Sequence, residues 1–313
     1  MLVLTNMYPS EGAPEFGVFV QEQVEELRRL GVDVSVLSFD GRDSRWNYAT
    51  AAVQTRRAVG REQFDLVHAH YGLCGAVALA QRRLPVVTTF HGSETGYVRY
   101  QALLSYFVAR LTHPIFVSQH GASSLRMPSA DVIPAGVNTQ LFRPLPRETA
   151  VRQLGWDPEA PYILFPGHRA NRRKRYDLFE AAVEHARSRR PDLRSVWLEG
   201  YSRREVSLVL NAVDVVLVTS DYEGSPVAVR EALACTTPVV SVEVGDVSRV
   251  LKGLPGCAVA ERDPIALAER ALEALMAGKR AELRPRAMLS SGECVARRLL
   301  AVYESVVPEA AAD

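Results

Sequence analysis

Apolar residues in this chain come in short runs, and longer stretches with helical three-and-four spacing lie between them. The runs at 2–5, 33–38, 65–69, 85–90, 114–118 and 131–133 have strand length. Residues 16–30, 49–60, 72–82, 97–111 and 121–126 carry helical patterns. Alternation of this kind predicts strand–helix–strand units and a parallel sheet. An irregular stretch with several prolines runs from Phe142 to Pro161, and we read 147–161 as a linker with a short helix at 149–154. The alternation then resumes, with strands predicted at 162–165, 195–199, 214–219, 238–242 and 257–259. Helices are predicted at 174–189, 203–212, 226–235, 264–277 and 291–306. Two domains follow, 1–146 and 162–290, with a closing helix and tail at 291–313 whose last residues, Ala-Ala-Ala-Asp, read as disordered.

Composition narrows this picture a little. A chain of 313 residues is long enough for two cores of ordinary size. Lys and Arg number 37 against 36 Asp and Glu, so the net charge of +1 demands no nucleic-acid partner. Cys74, Cys235, Cys257 and Cys294 lie in apolar contexts without Cys-x-x-Cys spacing. That argues against a disulfide framework or zinc site and for a reducing, cytoplasmic compartment. No apolar run approaches the ~18 residues of a membrane span, and Met1–Asn6 reads as a first strand rather than a signal peptide.

The chemistry concentrates in Ser220–Ser241. An apolar strand, 214–219, runs through Glu223-Gly-Ser225-Pro226 into a helix that carries Glu231. Ser225 is expected as the N-cap and Pro226 as the first helical residue. The N–H groups of Val227 and the two residues after it would then form an anion site at the positive end of the helix dipole. Glu231 sits about 7 Å up that helix at ~1.5 Å per residue, within reach of ribose hydroxyls on a diphosphate docked there. Glu223 would face what hangs from the far phosphate. The arrangement suits a nucleotide with a polyhydroxylated substituent.

Glu223-Gly-Ser-Pro-x4-Glu231-Ala-Leu-Ala, followed by Pro238-Val-Val, resembles the Glu-x7-Glu signature of family 4 glycosyltransferases. The resemblance covers nearly the whole chain. It implies an α/β fold of the GT-B type: two Rossmann-like, doubly wound parallel-sheet domains facing a cleft, the first on the acceptor side and the second binding the nucleotide sugar. It further implies a retaining transfer from a nucleotide-diphosphate sugar to a hydroxyl of a sugar or lipid-linked acceptor. The closest resemblance is to bacterial enzymes of cell-surface polysaccharide assembly. His91, in Thr88-Thr-Phe-His91-Gly-Ser-Glu94, matches the family's His-Gly-x-Asp/Glu segment and is expected, with Glu223, at the reacting centre. Gly17 matches a glycine loop that lets backbone approach the donor, although a simple strand-to-helix turn reads the same residue. Arg169 and Lys174 match the pair that holds the pyrophosphate. With those two cations no divalent metal or other cofactor is expected, and no Asp-x-Asp triplet occurs to bind one. A site drawn from His68, His70 and His91 is the competing metal-bound reading.

Two departures from the pattern stand out. Thr236 replaces a customary glycine, and the region 198–211 is short where relatives carry backbone that reads the base. Tyr201 is expected to stack on the base there, or else to be a surface tyrosine. The aromatic spacing of Tyr97, Tyr100, Leu104 and Phe107 reads as core. A basic-aromatic face touching a membrane-anchored acceptor, at the inner face of the membrane, is the alternative. A nucleotide-sugar 2-epimerase and a non-catalytic sugar-nucleotide binder are the rival functions. A Rossmann dehydrogenase is disfavoured by the absence of Gly-x-Gly-x-x-Gly after any strand.

Overall fold

Each predicted apolar run becomes a strand of one of two parallel sheets. The computed structural model describes residues 1–13, 15–96 and 99–307. It divides into two units: unit 1 is residues 1–136 together with the segment from Gly292, and unit 2 is residues 137–291. Tyr97 and the final Ala-Ala-Ala-Asp lie outside the described residues.

Unit 1 begins β1 (Leu2–Thr5), α1 (Val18–Arg29), β2 (Ser35–Ser38), α2 (Trp46–Arg61), β3 (Val67–His70) and α3 (Gly72–Ala78). It continues β4 (Val86–Phe90), α4 (Ser93–Gly96), α5 (Arg99–Leu111), β5 (His113–Phe116), α6 (Gln119–Ser124) and β6 (Asp131–Val132). The sheet order is β2-β1-β3-β4-β5-β6, with every pairing parallel. Parallel strands need crossovers of this kind, and both faces of the sheet are covered by helices. Ser118, expected as the end of a strand, instead caps α6, its Oγ accepting from Gly121 N at 3.3 Å. The core reading of α5 is corrected. Its inward stripe is Ser105, Val108 and Ala109, while Tyr100 and Phe107 are 67% and 55% exposed.

Unit 2 holds α7 (Arg147–Leu154), β7 (Tyr162–Phe165), α8 (Tyr176–Arg187), β8 (Arg194–Trp197), α9 (Arg203–Ala212), β9 (Val215–Val218) and α10 (Val227–Ala234). After these come β10 (Val239–Val242), α11 (Val247–Leu251), β11 (Ala258–Ala260), α12 (Pro264–Ala277) and α13 (Arg284–Met288). Its parallel sheet runs β11-β10-β9-β7-β8 around one apolar core. Residues 147–161, expected to link the domains, are packed into this unit. Ala150 and Val151 of α7 bury against Ala212, and Arg147 donates to Asp214 and to the Ala160 carbonyl at 3.1 and 2.6 Å.

From Gly292 the chain adds α14 (Gly292–Val306) to unit 1. Val295, Leu299 and Val302 join Val20, Val24 and Leu27 of α1 in one buried cluster. Tyr303 reaches β3, its hydroxyl 2.7 Å from His68 Nδ1.

Candidate functional site

In open parallel sheets, ligand-facing residues gather beyond the carboxyl ends of the strands. In unit 2 that rim is built by two loops. The loop after β7 contains a single 3₁₀ turn, Arg172–Lys174, and then Arg175 in a left-handed conformation at φ 55°. The loop after β9, 219–226, is knitted to it. Thr219 Oγ1 donates to the carbonyls of Lys174 and Arg175 at 2.9 and 3.0 Å, and Asp221 N donates to Arg173 O at 2.8 Å. Lys174 crosses directly over Gly167, where an added Cβ would lie 3.2 Å from the lysine Cγ.

The result is a tight charged cluster around Glu223. Lys174 Nζ stands 2.6 Å from Glu223 Oε1, Arg173 Nη1 stands 2.8 Å from Oε2, and Ser220 Oγ donates to Oε1 at 2.9 Å. Burial pushes the Glu223 carboxyl upward, but the charges of Lys174 and Arg173 outweigh this and hold it below its usual range. Glu223 is therefore a carboxylate, and it keeps two cations in place.

Arg169 is elsewhere. Its guanidinium lies 4.1 Å from the Trp197 ring centroid, and its Nε is 3.4 Å from Glu199. Lys174 thus meets Arg173 at Glu223, not Arg169. The reason is local: the 3₁₀ turn swings 172–174 over the β9 loop, while Arg169 stays beside the end of β8. Arg173 was not singled out in the sequence because four basic residues stand in a row there.

The helix start also differs from expectation. Pro226, with φ −65° and ψ 112°, is itself the N-cap, and α10 begins at Val227. Its extended ψ keeps it out of the helix. Ser225 Oγ caps nothing, and it is buried without a hydrogen-bond partner among the described residues. A buried hydroxyl without a partner costs about 1–3 kcal/mol. Glu231, 3% exposed, lies one turn into α10 with Arg203 Nη1 at 2.7 Å. Tyr201 is half-buried in the turn before Ser202, which caps α9 through a capping box. Gly245, at φ 57°, seats the loop after β10 on Gly224, and the fully buried Arg230–Asp246 pair anchors that loop.

In unit 1 the corresponding rim holds Gly17 and three histidines. Gly17 has φ 77°, and a Cβ there would come within 2.3 Å of the Met7 carbonyl carbon. Only glycine fits. His91 follows β4; its ring lies 5.0 Å from that of Phe19, and its backbone N–H donates to Glu94 Oε1 at 2.6 Å. His70 Nδ1 faces His91 Nε2 at 3.2 Å, and His70 Nε2 faces the Gln23 amide at 3.3 Å. His68 is spanned by Tyr303 and Thr89, at 2.7 and 2.8 Å. Both nitrogens of His68 and of His70 are thus engaged with protein groups, and the rings do not converge on a metal-sized point. Among the described residues no group of three ligating side chains is placed to hold a metal.

Burial lowers His91 to about 4 and His68 to about 3. Glu94, with no exposure, is pushed up to about 7 by the same cause. His91 is therefore a neutral ring near pH 7, able to hydrogen-bond a hydroxyl without adding charge.

The sequence pattern of Glycosyltransferase Family 4 matches residues 16–141, and that of Glycosyl transferases group 1 matches residues 180–277. The chain belongs to these glycosyltransferases, and its two Rossmann-like units are of the GT-B class. It is similar to the teichuronic acid biosynthesis glycosyltransferase TuaC of Bacillus subtilis, with 24% identity across 79% of this chain and 82% of TuaC. Among solved structures it resembles sucrose-phosphate synthase from Thermosynechococcus elongatus, with TM-score 0.82, 18% identity and coverage of 97% and 98% of the two chains. It also resembles Anabaena HepE in complex with UDP, with TM-score 0.69, 15% identity and coverage of 97% and 99%. These two likenesses are of fold. Among the described residues no helix is long and apolar enough to cross a membrane.

Proposed function

We propose that the chain transfers a sugar from a nucleotide-diphosphate donor to an acceptor hydroxyl with retention of anomeric configuration, in cell-surface polysaccharide or glycoconjugate synthesis. The setting is the cytoplasm, at the inner membrane face where the acceptor is lipid-linked. One observation carries the reading: a buried Glu223 carboxylate holds Lys174 and Arg173 together beside an unpartnered Ser225 hydroxyl at the start of α10. A diphosphate docked on the first N–H groups of α10 would take over the two cations and the Ser225 hydroxyl. As the bond from the anomeric carbon to phosphate oxygen breaks, the electron pair leaves with the diphosphate. The acceptor oxygen bonds to that carbon on the same face and passes its proton to the departing oxygen.

Fixed cations and helix N–H groups supply the positive charge that the leaving group needs, so no divalent ion is required by this reading. Glu231 would accept the ribose hydroxyls, and Glu223 would meet the transferring sugar. In unit 1, His91 offers a neutral ring that can hydrogen-bond a hydroxyl, and Gly17 holds the turn into α1. The fold shared with a UDP complex supports a nucleotide donor, and the similarity to TuaC supports a polysaccharide setting.

The test is a thermal-shift panel of UDP, GDP, ADP and dTDP sugars, followed by kinetics of variants. Glu231→Gln should weaken donor binding about 10-fold or more, and Lys174→Ala should cost about 10²–10³ in kcat. EDTA should leave turnover intact. A panel in which no nucleotide raises the melting temperature defeats the reading, and turnover abolished by EDTA and restored by Mg²⁺ defeats its metal-free part.

A further inference from the structure

Unit 1 distributes its exposed surface unevenly. Its exposed large apolar side chains, among the described residues, are Trp46, Val53, Tyr100, Leu103, Phe107 and Leu111. All lie on α2 or α5, which flank α3 in one helix layer. On α5 they recur along one outward stripe beside the exposed Arg99 and Arg110. On α2, Trp46 is 80% exposed next to Arg45.

Charge on this layer is as one-sided as the apolar pattern. From Ser44 to Ala130 the sequence holds nine arginines and three carboxylates, in a chain whose net charge is only +1. Glu94, one of the three, is fully buried. A cavity of 510 Å³ between the end of α2 and the turn after α3 is lined by Arg56, Arg82 and Arg83, with no carboxylate in its wall. Three guanidinium groups in its wall give this cavity the donors to hold a phosphate.

We propose that the α2–α5 face of unit 1 docks on the surface of an anionic phospholipid bilayer. Trp46, Leu103, Phe107 and Leu111 would enter the headgroup boundary, and the arginines would pair with lipid phosphates. Aromatic and aliphatic side chains interleaved with arginine, on helices lying flat, are what such an interface selects. A second copy of the chain is disfavoured as the occupant, because it would set nine arginines against nine. The inference specifies the surface and lipid chemistry behind the membrane setting proposed above, but does not depend on the transferase reading.

Flotation of the full chain with phosphatidylcholine vesicles, with and without phosphatidylglycerol, tests it. Binding is expected only with phosphatidylglycerol and should fade at high salt, as the Debye length falls from ~10 Å at 0.1 M to ~3 Å at 1 M. Arg82→Gln with Arg83→Gln should weaken partition by roughly five-fold per arginine. Leu103→Ser with Phe107→Ser, at exposed positions that leave the core alone, should abolish it. A blue shift of tryptophan emission on binding should vanish in Trp46→Phe. Vesicle binding that ignores lipid charge overturns the proposal, as does binding that survives the serine changes. Concentration-dependent dimerisation that the serine changes abolish, without lipid binding, would assign the face to a second copy and overturn it equally. Nucleotide-induced melting shifts in the same preparations report on the transferase reading separately.

Discussion

Thr236 shows how one residue can record both a family pattern and its cost. It ends α10 in a Schellman motif: Thr236 N donates to Leu233 O at 3.0 Å, and Thr237 N donates to Ala232 O at 2.9 Å. The position sits at φ 61°, where a β-branched residue is strained and glycine is favoured. The family resemblance implies a glycine there, and the structure supplies the reason. Thr236→Gly should stabilise unit 2 by roughly 1 kcal/mol, readable as a rise in the urea midpoint at unchanged m. Glu94 gives a second prediction, on pH. Its folded-state pKa of about 7 lies above the ordinary 4.5, so the native state binds its proton more tightly than the unfolded chain. Stability from this group is full below about 4.5 and is lost as pH rises through about 7, by on the order of 3 kcal/mol. Glu94→Gln keeps the neutral form and the acceptor for His91 N. The variant should therefore gain stability over wild type between pH 5 and pH 8. An equal difference at both pH values would show that Glu94 titrates normally. At this scale the two carboxylates of the Glu-x7-Glu motif were legible in the sequence, since spacing and turn chemistry place them. Which arginine joins Lys174 was not, because a run of basic residues carries no signal for the left-handed turn at Arg175.

Elements were legible wherever a local rule decided them. α12 spans Pro264–Ala277 as read from the sequence, because Asp263 caps it by accepting from Ala266 N at 2.9 Å and Pro264 opens it. α5 was legible as a helix but not in its facing. Its aromatics follow helical spacing, yet burial chose the stripe of Ser105, Val108 and Ala109, since α3 meets α5 through small residues. Gly75 of α3 shows how close that approach is: a Cβ on it would lie 2.5 Å from Val108 Cγ1. Periodicity gives the helix, and the neighbour it packs on decides which face is buried. The start of α1 is set by Gly17, and the sequence left open whether that glycine was a turn or a ligand contact. The backbone answers for the turn, because φ 77° and the approach of Met7 both require it. Gly17→Ala should cost about 2–3 kcal/mol, the sum of a left-handed penalty and a clash with backbone that cannot yield cheaply. Circular dichroism melts of unit 1 transitions would show it, and a neutral alanine would mean that the 6–17 loop rearranges freely.

For the whole molecule, two α/β units were legible because the alternation of runs is interrupted once. Their boundaries were not legible, because packing rather than composition decides them. The proline-containing stretch looks like a linker, yet it carries α7 and its Arg147–Asp214 contacts in unit 2. The final helix follows unit 2 in sequence but completes unit 1. Unit 2 is thus one continuous piece with its own core, whereas unit 1 depends on a segment more than 150 residues away. Removing the chain from Gly292 onward would uncover Val20, Val24 and Leu27 of α1 and leave His68 Nδ1 without Tyr303. At ~1.5–3 kcal/mol for each uncovered core side chain, the three together lose about 5–9 kcal/mol, comparable with the lower half of the 5–15 kcal/mol that a domain of ordinary stability holds in reserve. The truncated chain should lose the calorimetric transition of unit 1 while that of unit 2 persists, with any nucleotide-induced shift of unit 2 retained. Tyr303→Phe should instead lower the unit 1 transition alone, by the ~1–3 kcal/mol of one buried, unpaired histidine nitrogen. If both transitions fell together on truncation, the two units would be one cooperative body and the division drawn here would be wrong.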